Sequence, residues 1–141
     1  MKFFSSLTLK SKGVSQVCIE HKGQIYAGVA KCHPDDTWSE FTGCKFAELR
    51  ATKKALKAQY KEEKLKLDAI KTFMTAVSQY KNFDNESSTA KVMYRQYNRR
   101  VKRLEEIASD ISAIDDVIKA RLKSLKVIEE KRKNIEESKK S

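Results

Sequence analysis

Helix-breaking residues are scarce in this chain and confined to its first third. One proline and four glycines occur among 141 residues, and all five precede residue 44. After Gly43, nothing in the backbone chemistry forces a helix to stop. Charged residues make up 35% of the chain, against roughly 25% in an average soluble domain, which is typical of long solvated helices. We therefore predict that helices dominate the chain beyond Gly43.

A long apolar run is also missing. No stretch of about 18 apolar residues exists, so we expect no membrane-spanning helix. The segment from Met1 to Leu7 is too short and too polar for a signal peptide. We therefore expect a cytoplasmic protein in which Cys18, Cys32 and Cys44 are reduced thiols.

Sequence motifs of known catalytic chemistry are lacking. There is no glycine-rich phosphate loop, no GxSxG and no HExxH, and only His21 and His33 are available as histidine acids or bases. No CxxC pair occurs, and the cysteine spacing matches no standard zinc pattern. We expect no enzyme, no cofactor and no metal. A ligand or metal site at His33, Asp35 and Asp36 is a less favoured alternative, because a turn needs these residue types anyway.

Acidic residues are too few to balance the basic ones, and the formal net charge is +11. A surface this basic attracts polyanions, which include nucleic acid, nucleotides and anionic membranes. The same charge also keeps a highly helical protein soluble. Charge alone therefore does not choose among these roles.

The first 40 residues have the pattern of a small sheet. Residues 2–9, 14–20 and 25–32 form three strand-like segments with alternating side chains. Gly23 lies in the short turn between the second and third, where we expect a positive φ. The pattern predicts a three-stranded antiparallel sheet whose apolar face needs a helical cover.

Residues 41–141 carry heptad-like apolar spacing, which predicts a long, coiled-coil-like helical hairpin. We expect helices at about 43–81 and 88–138, with Ser87, Ser88 or Thr89 as the cap of the second. The fold class is α+β, and we expect residues 1–40 and 41–141 to fold as one unit. The predicted seam of the second helix includes Tyr94, Tyr97, Val101, Leu104 and Ala108. The large apolar residues Ile107, Ile111 and Ile114 cover a stripe that is wider than one partner helix needs. We therefore expect a homo-oligomer, most simply a dimer.

The start of the second helix is chemically distinctive. Between Lys91 and Arg103 there are six basic residues and no acid, with tyrosine and asparagine interleaved. Arginine pairs with phosphate, aromatic rings stack on bases, and asparagine can hydrogen-bond a base edge. In the alternative interpretation, the tyrosines contact the first helix and the arginines are a solvated face. The candidate ligand-binding residues are Phe83, Asn85, Tyr94, Arg95, Tyr97, Asn98, Arg99 and Arg100.

The chain resembles the phage anti-Thoeris signal sponges, type 1. The resemblance lies in the whole architecture and in the stretch VAKCHPDDTWS at residues 29–39 leading into GCKFAELRA at residues 43–51. It implies a non-catalytic dimer or trimer of dimers in the host cell cytoplasm. It also implies sequestration of cyclic ADP-ribose isomers made by bacterial TIR-domain proteins, and in some members of cyclic oligonucleotides at separate sites.

The resemblance also implies roles for the candidate residues at an interface between protomers. Phe83 would stack on adenine, and Asn85 or Asn98 would hydrogen-bond the base or ribose. The pyrophosphate would be taken by one or more of Arg95, Arg99 and Arg100. The alternative function is a basic helical nucleic-acid-binding or structural phage protein, although the partners we expect are a cyclic nucleotide and further copies of the chain, and not a membrane or nucleic acid. A third hypothesis is a coiled coil that bridges a partner protein.

Overall fold

The computed structural model describes residues 1–9, 13–31, 40–80, 84 and 87–140. It confirms a three-stranded antiparallel sheet followed by two helices. The second helix begins at the predicted residue 88, and both helices end within three residues of the predicted positions. The elements are β1 (Lys2–Leu9), β2 (Val14–His21), β3 (Gln24–Lys31), α1 (Glu40–Ser78) and α2 (Ser88–Lys140).

The turn between β2 and β3 forms where the sequence predicts it. His21 pairs with Gln24, and the two residues between them have positive φ angles, 52° at Lys22 and 76° at Gly23. Two consecutive positive φ angles are the signature of a tight hairpin turn whose twist matches that of the strands. A tight turn fixes the register of β2 against β3.

By its internal contacts the chain divides into two compact units. Unit 1 comprises Met1–Ala55 and Ser112–Ser141, and unit 2 comprises Leu56–Ile111. Unit 1 contains the sheet, the first turns of α1 and the second half of α2. Unit 2 contains the rest of both helices. Whether residues 1–40 and 41–141 fold as one unit stays a prediction.

The core of unit 1 lies between one sheet face and α1. Alternate residues of β2 and β3 point toward the helix, whose facing residues are mostly alanine. The buried side chains of this core are Val17, Ile19, Ala30, Phe46, Ala47, Ala51 and Ala55. Ile118 and Leu125 of α2 pack against it at its margin.

Gly28 allows α1 to lie directly on the sheet. A β-carbon built at Gly28 would lie 2.5 Å from the backbone nitrogen of Ala51 and closer still to the carbonyl oxygen of Ala47. No real side chain tolerates such contacts with backbone atoms. The glycine is therefore required by the close approach of the helix, and the alanines of α1 are small for the same reason.

Unit 2 is a pair of helix segments in contact along one line, which we call the seam. Leu56, Gln59 and Glu63 of α1 are buried there, and so are Ala90, Met93, Leu104 and Ile107 of α2. Two predicted seam residues are placed elsewhere, because Tyr94 is 42% exposed and Ala108 is also exposed. The seam of α2 thus follows Met93 and Ile107, one position before each predicted residue.

Candidate functional site

The candidate site begins at the capped end of α2. The hydroxyl oxygen of Ser87 accepts a hydrogen bond from the backbone N–H of Ala90 at 3.2 Å, which identifies Ser87 as the cap. The first turn of α2 contains no acidic residue. The basic segment of residues 91–103 therefore starts on the first turns of a well-defined helix.

The solvent-exposed side of these turns is basic. The side chains that share it are Lys91, Arg95, Asn98, Arg99 and Lys102, and all five are exposed. We call this set the basic face. Arg95 and Arg99 are one turn apart, so their β-carbons are roughly 6 Å from each other. Within the described part of the chain, neither arginine pairs with a carboxylate. Two adjacent guanidinium groups without an acidic partner form a suitable contact for phosphate oxygens.

The structure places Arg100 apart from the basic face. Arg100 Nη1 donates to Glu63 Oε2 of α1 at 2.9 Å, and the Glu63 side chain is only 11% exposed. Lys66 Nζ lies 3.9 Å from the other Glu63 oxygen. The charge of Arg100 is thus already balanced within unit 2, and its predicted role as a phosphate ligand stays a prediction.

The two candidate tyrosines flank the seam. Tyr97 is half-buried, whereas Tyr94 lies between the seam and the basic face and is 42% exposed. Of the predicted site residues, Tyr94, Arg95, Asn98 and Arg99 are therefore on neighbouring exposed positions of one helix. Phe83 and Asn85 lie outside the described residues.

Gln59 and Glu63 are polar residues of the seam that the sequence analysis did not single out. Counted over the whole residue, backbone included, Gln59 is 5% exposed and Glu63 is 9% exposed. Glu63 follows Tyr60 by three residues and precedes Leu67 by four, so heptad spacing already assigns it to the seam. A carboxylate at such a position needs a basic partner, and Arg100 supplies it.

Unit 2 also contains a shallow groove on the last turns of α1. Its volume is about 440 Å³, and its lining residues are Lys71, Thr72, Thr75, Ala76 and Gln79. None of the predicted ligand-binding residues lines it. The groove is open and has one basic side chain, so its chemistry selects no particular ligand.

The described residues hold no group of three or more His, Cys, Asp or Glu side chains arranged to bind a metal ion. Cys18 and Cys44 are free thiols, while Cys32 and His33 lie outside the described residues. Within the described residues, neither helix has an 18-residue window apolar enough to cross a bilayer.

Comparison with protein-family models, with curated proteins and with solved structures finds no match for this chain. The fold and the basic face are therefore the observations from which a function has to be argued.

Proposed function

We propose that this protein is a non-catalytic sponge that binds a cyclic nucleotide immune signal and withholds it from bacterial antiphage defence. The signal would be a cyclic ADP-ribose isomer or a cyclic oligonucleotide, bound in the cytoplasm of the host cell. The observation that carries the proposal is the basic face, on which Arg95 and Arg99 are one turn apart and Asn98 is the neighbour of Arg95 three residues on. Both classes of ligand carry phosphate groups and an adenine or related base, which these side chains can recognise.

An open helix face does not enclose a ligand by itself. A bound nucleotide buries most of its surface, so a second wall has to cover it. A homo-oligomer, as a dimer or a trimer of dimers, would supply that wall. Phe83 and Asn85 precede α2 in the chain and would act from the same end of the helix, with Phe83 stacking on the base.

Sequestration needs affinity and no turnover. A sponge lowers the free signal concentration when its dissociation constant is below that concentration and when the protein is in excess. The ligand has only to be held, so no general acid, base or nucleophile is required. This requirement agrees with the absence of catalytic motifs from the sequence.

The proposal is tested by equilibrium dialysis of the protein against a cyclic ADP-ribose isomer. The double variant Arg95→Ala/Arg99→Ala should weaken binding at least about 10-fold, because two charge-assisted hydrogen-bond donors are lost. The matched control is Lys119→Ala/Lys123→Ala, which removes two positive charges from exposed positions one turn apart elsewhere on α2. The control should bind like the wild type, whereas equal weakening in both variants would show that only net charge matters.

Phe83→Ala provides a separate test of the stacking role. Loss of uptake with unchanged thermal unfolding is the expected result, since the proposed role of the ring is to stack on the bound base. Normal uptake by this variant would place the base elsewhere.

The same basic face favours duplex binding as the alternative function, because exposed cations along a helix can follow a phosphate backbone. Salt distinguishes the two. Duplex binding should weaken steeply between low and physiological salt, since many counterions are released, whereas a site for one small dianion should lose much less. A steep salt dependence for duplex together with no uptake of cyclic nucleotide would favour the alternative.

A further inference from the structure

The two edges of the sheet differ in how their backbone groups are satisfied. At the β3 edge, Arg50 Nη1 donates to the carbonyl oxygen of Val29 at 2.7 Å, and Lys54 Nζ donates to that of Ala27 at 2.8 Å. Both basic residues lie on α1, one turn apart. They occupy acceptors that another strand would otherwise use, so the β3 edge is closed to further pairing.

The outward carbonyls of β3 also define the hydrogen-bonding pattern of β2. In an antiparallel sheet, the N–H and C=O groups of successive residues point to alternate sides. Ala27 and Val29 point away from β2, and they pair with Cys18 and Gln16. Those two β2 residues therefore direct their own backbone groups toward β1.

The pattern continues into β1, where Ser5 pairs with Cys18 and Leu7 pairs with Gln16. Ser5 and Leu7 thus use their backbone groups within the sheet. The alternate residues are Ser6, between Ser5 and Leu7, and Thr8, after Leu7. Both direct their backbone N–H and C=O groups to the side of β1 that faces away from β2. No hydrogen bond to those outward groups is found among the residues that the structure describes.

The β1 edge is also neutral and apolar. Phe3, Phe4, Leu7 and Leu9 are 63%, 56%, 58% and 44% exposed, and no residue from Phe3 to Leu9 carries a charge. Proteins usually protect such an edge with lysine, proline or a covering element. The β3 edge of this sheet has that protection, and the described part of the β1 edge does not.

We propose that β1 pairs with β1 of a second copy of this chain. The strands would run antiparallel across a two-fold axis near Ser6 and join two sheets into one of six strands. Such a contact is self-complementary, because each outward N–H of one strand meets an outward C=O of the same strand in the other copy. This interface does not depend on the proposed function.

Charge selects a second copy over a partner recognised electrostatically. The chain has a net charge of +11, so an acidic partner would dock where the basic side chains are. The segment from Phe3 to Leu9 has none, so pairing about Ser6 brings no like charges together within this segment, and the basic Lys2 lies at its end. Cross-strand neighbours in the pairing would also cover part of its exposed phenylalanine and leucine side chains.

The test compares proline substitutions at the two edges by sedimentation in solution. Ser6→Pro removes an outward N–H from β1 and leaves the bonds to β2 in place, as proline on an edge strand allows. Ile25→Pro is the matched control, because Ile25 lies on the outward-bonding positions of β3 by the same alternation. Wild type and Ile25→Pro should be dimers at micromolar concentration, and Ser6→Pro should be a monomer with a wild-type circular dichroism spectrum.

A second variant, Ser6→Lys, keeps the test valid if Ser6→Pro fails to fold. Ser6→Lys keeps the backbone N–H but places two like charges opposite each other at the axis, so it should also give a folded monomer. In the wild-type dimer, the amides of Ser6 and Thr8 should exchange with deuterium at least tenfold more slowly than in Ser6→Lys. A monomeric wild type, a dimeric Ser6→Lys, or monomers from both proline variants would each overturn the proposal.

Discussion

The two compact units bury their surfaces in opposite ways. In unit 1, glycine and alanine bring the α1 backbone onto the sheet, and the buried core side chains are almost entirely apolar. In unit 2, the seam includes Gln59 and Glu63 among its buried residues. The first contact depends on close backbone approach and the second on a paired charge. The two should therefore respond differently to changes in volume and in charge.

The difference is useful for locating function. A contact made of Gly28, Ala47 and Ala51 leaves no room for a ligand or for variation in side-chain size. In unit 2 only the seam is constrained by packing, so the exposed positions of both helices are free to carry binding residues. The basic face lies on such exposed positions of α2. We therefore assign structural constraint to unit 1 and candidate binding chemistry to unit 2.

The largest effect is expected from Gly28→Val. The new side chain would overlap the backbone of α1, so the helix must leave the sheet, and we expect a loss of more than about 3 kcal/mol in the free energy of unfolding. Urea unfolding measures the loss. Gly23→Asn is the control, because a β-carbon at Gly23 meets nothing within 4 Å and asparagine tolerates its positive φ. Equal stability of both variants would show that α1 does not contact Gly28.

An intermediate effect is expected from Arg100→Met. The substitution leaves the Glu63 carboxylate, 11% exposed, without its 2.9 Å partner. Because Arg100 itself is about one-third exposed and solvent screens the pair, we expect a loss of about 1 to 2 kcal/mol. The exposed neighbour provides the control, since Arg99→Met should change stability by less than about 0.5 kcal/mol.

The same comparison is sharpened by replacing both partners. Glu63→Leu/Arg100→Leu should restore the stability lost in Arg100→Met, because an apolar pair carries no unpaired charge. A double variant that is less stable than Arg100→Met would mean that the ion pair contributes more than it costs to bury.

The smallest effect is expected from Ser15→Ala. Ser15 is fully buried, and its hydroxyl has no hydrogen-bond partner among the described residues. Removing an unsatisfied hydroxyl should leave stability unchanged or raise it by about 1 kcal/mol, as thermal unfolding would measure. The exposed Ser5→Ala serves for comparison and should be neutral. A clear loss of stability in Ser15→Ala alone would reveal that the hydroxyl is bonded after all.

Local patterns were enough to predict the elements. Alternation and turn chemistry predicted the three strands and the positive φ of Gly23, and the lack of helix breakers predicted two helices of nearly the observed length. These features depend on neighbours in the chain. The packing of α1 on Gly28 joins that glycine to Ala47 and Ala51, which are at least 19 positions away. No local pattern in the sequence predicts this contact.

The seam shows where a purely apolar pattern fails. Steps of three and four residues connect Ala90, Met93, Tyr97, Arg100 and Leu104 on α2. The apolar pattern predicts Tyr94 and Val101 on the stripe, whereas the seam follows Met93 and Arg100, each one position earlier. Arginine can lie at such a position because its aliphatic stem packs while the guanidinium reaches a carboxylate. The exposure of Arg95 and Arg99 follows from the same spacing, whereas the pairing of Arg100 with Glu63 requires the register between helices.

The most direct test of the sponge account is the mass of what the protein releases. The protein is mixed with a cyclic ADP-ribose isomer and separated from unbound ligand by gel filtration. It is then heated, and the mass of the released compound is determined by mass spectrometry. The account predicts that the ligand is retained in stoichiometric amount and recovered with its mass and its cyclic bond intact. Absence of retained ligand, or recovery of a hydrolysed product, would contradict it.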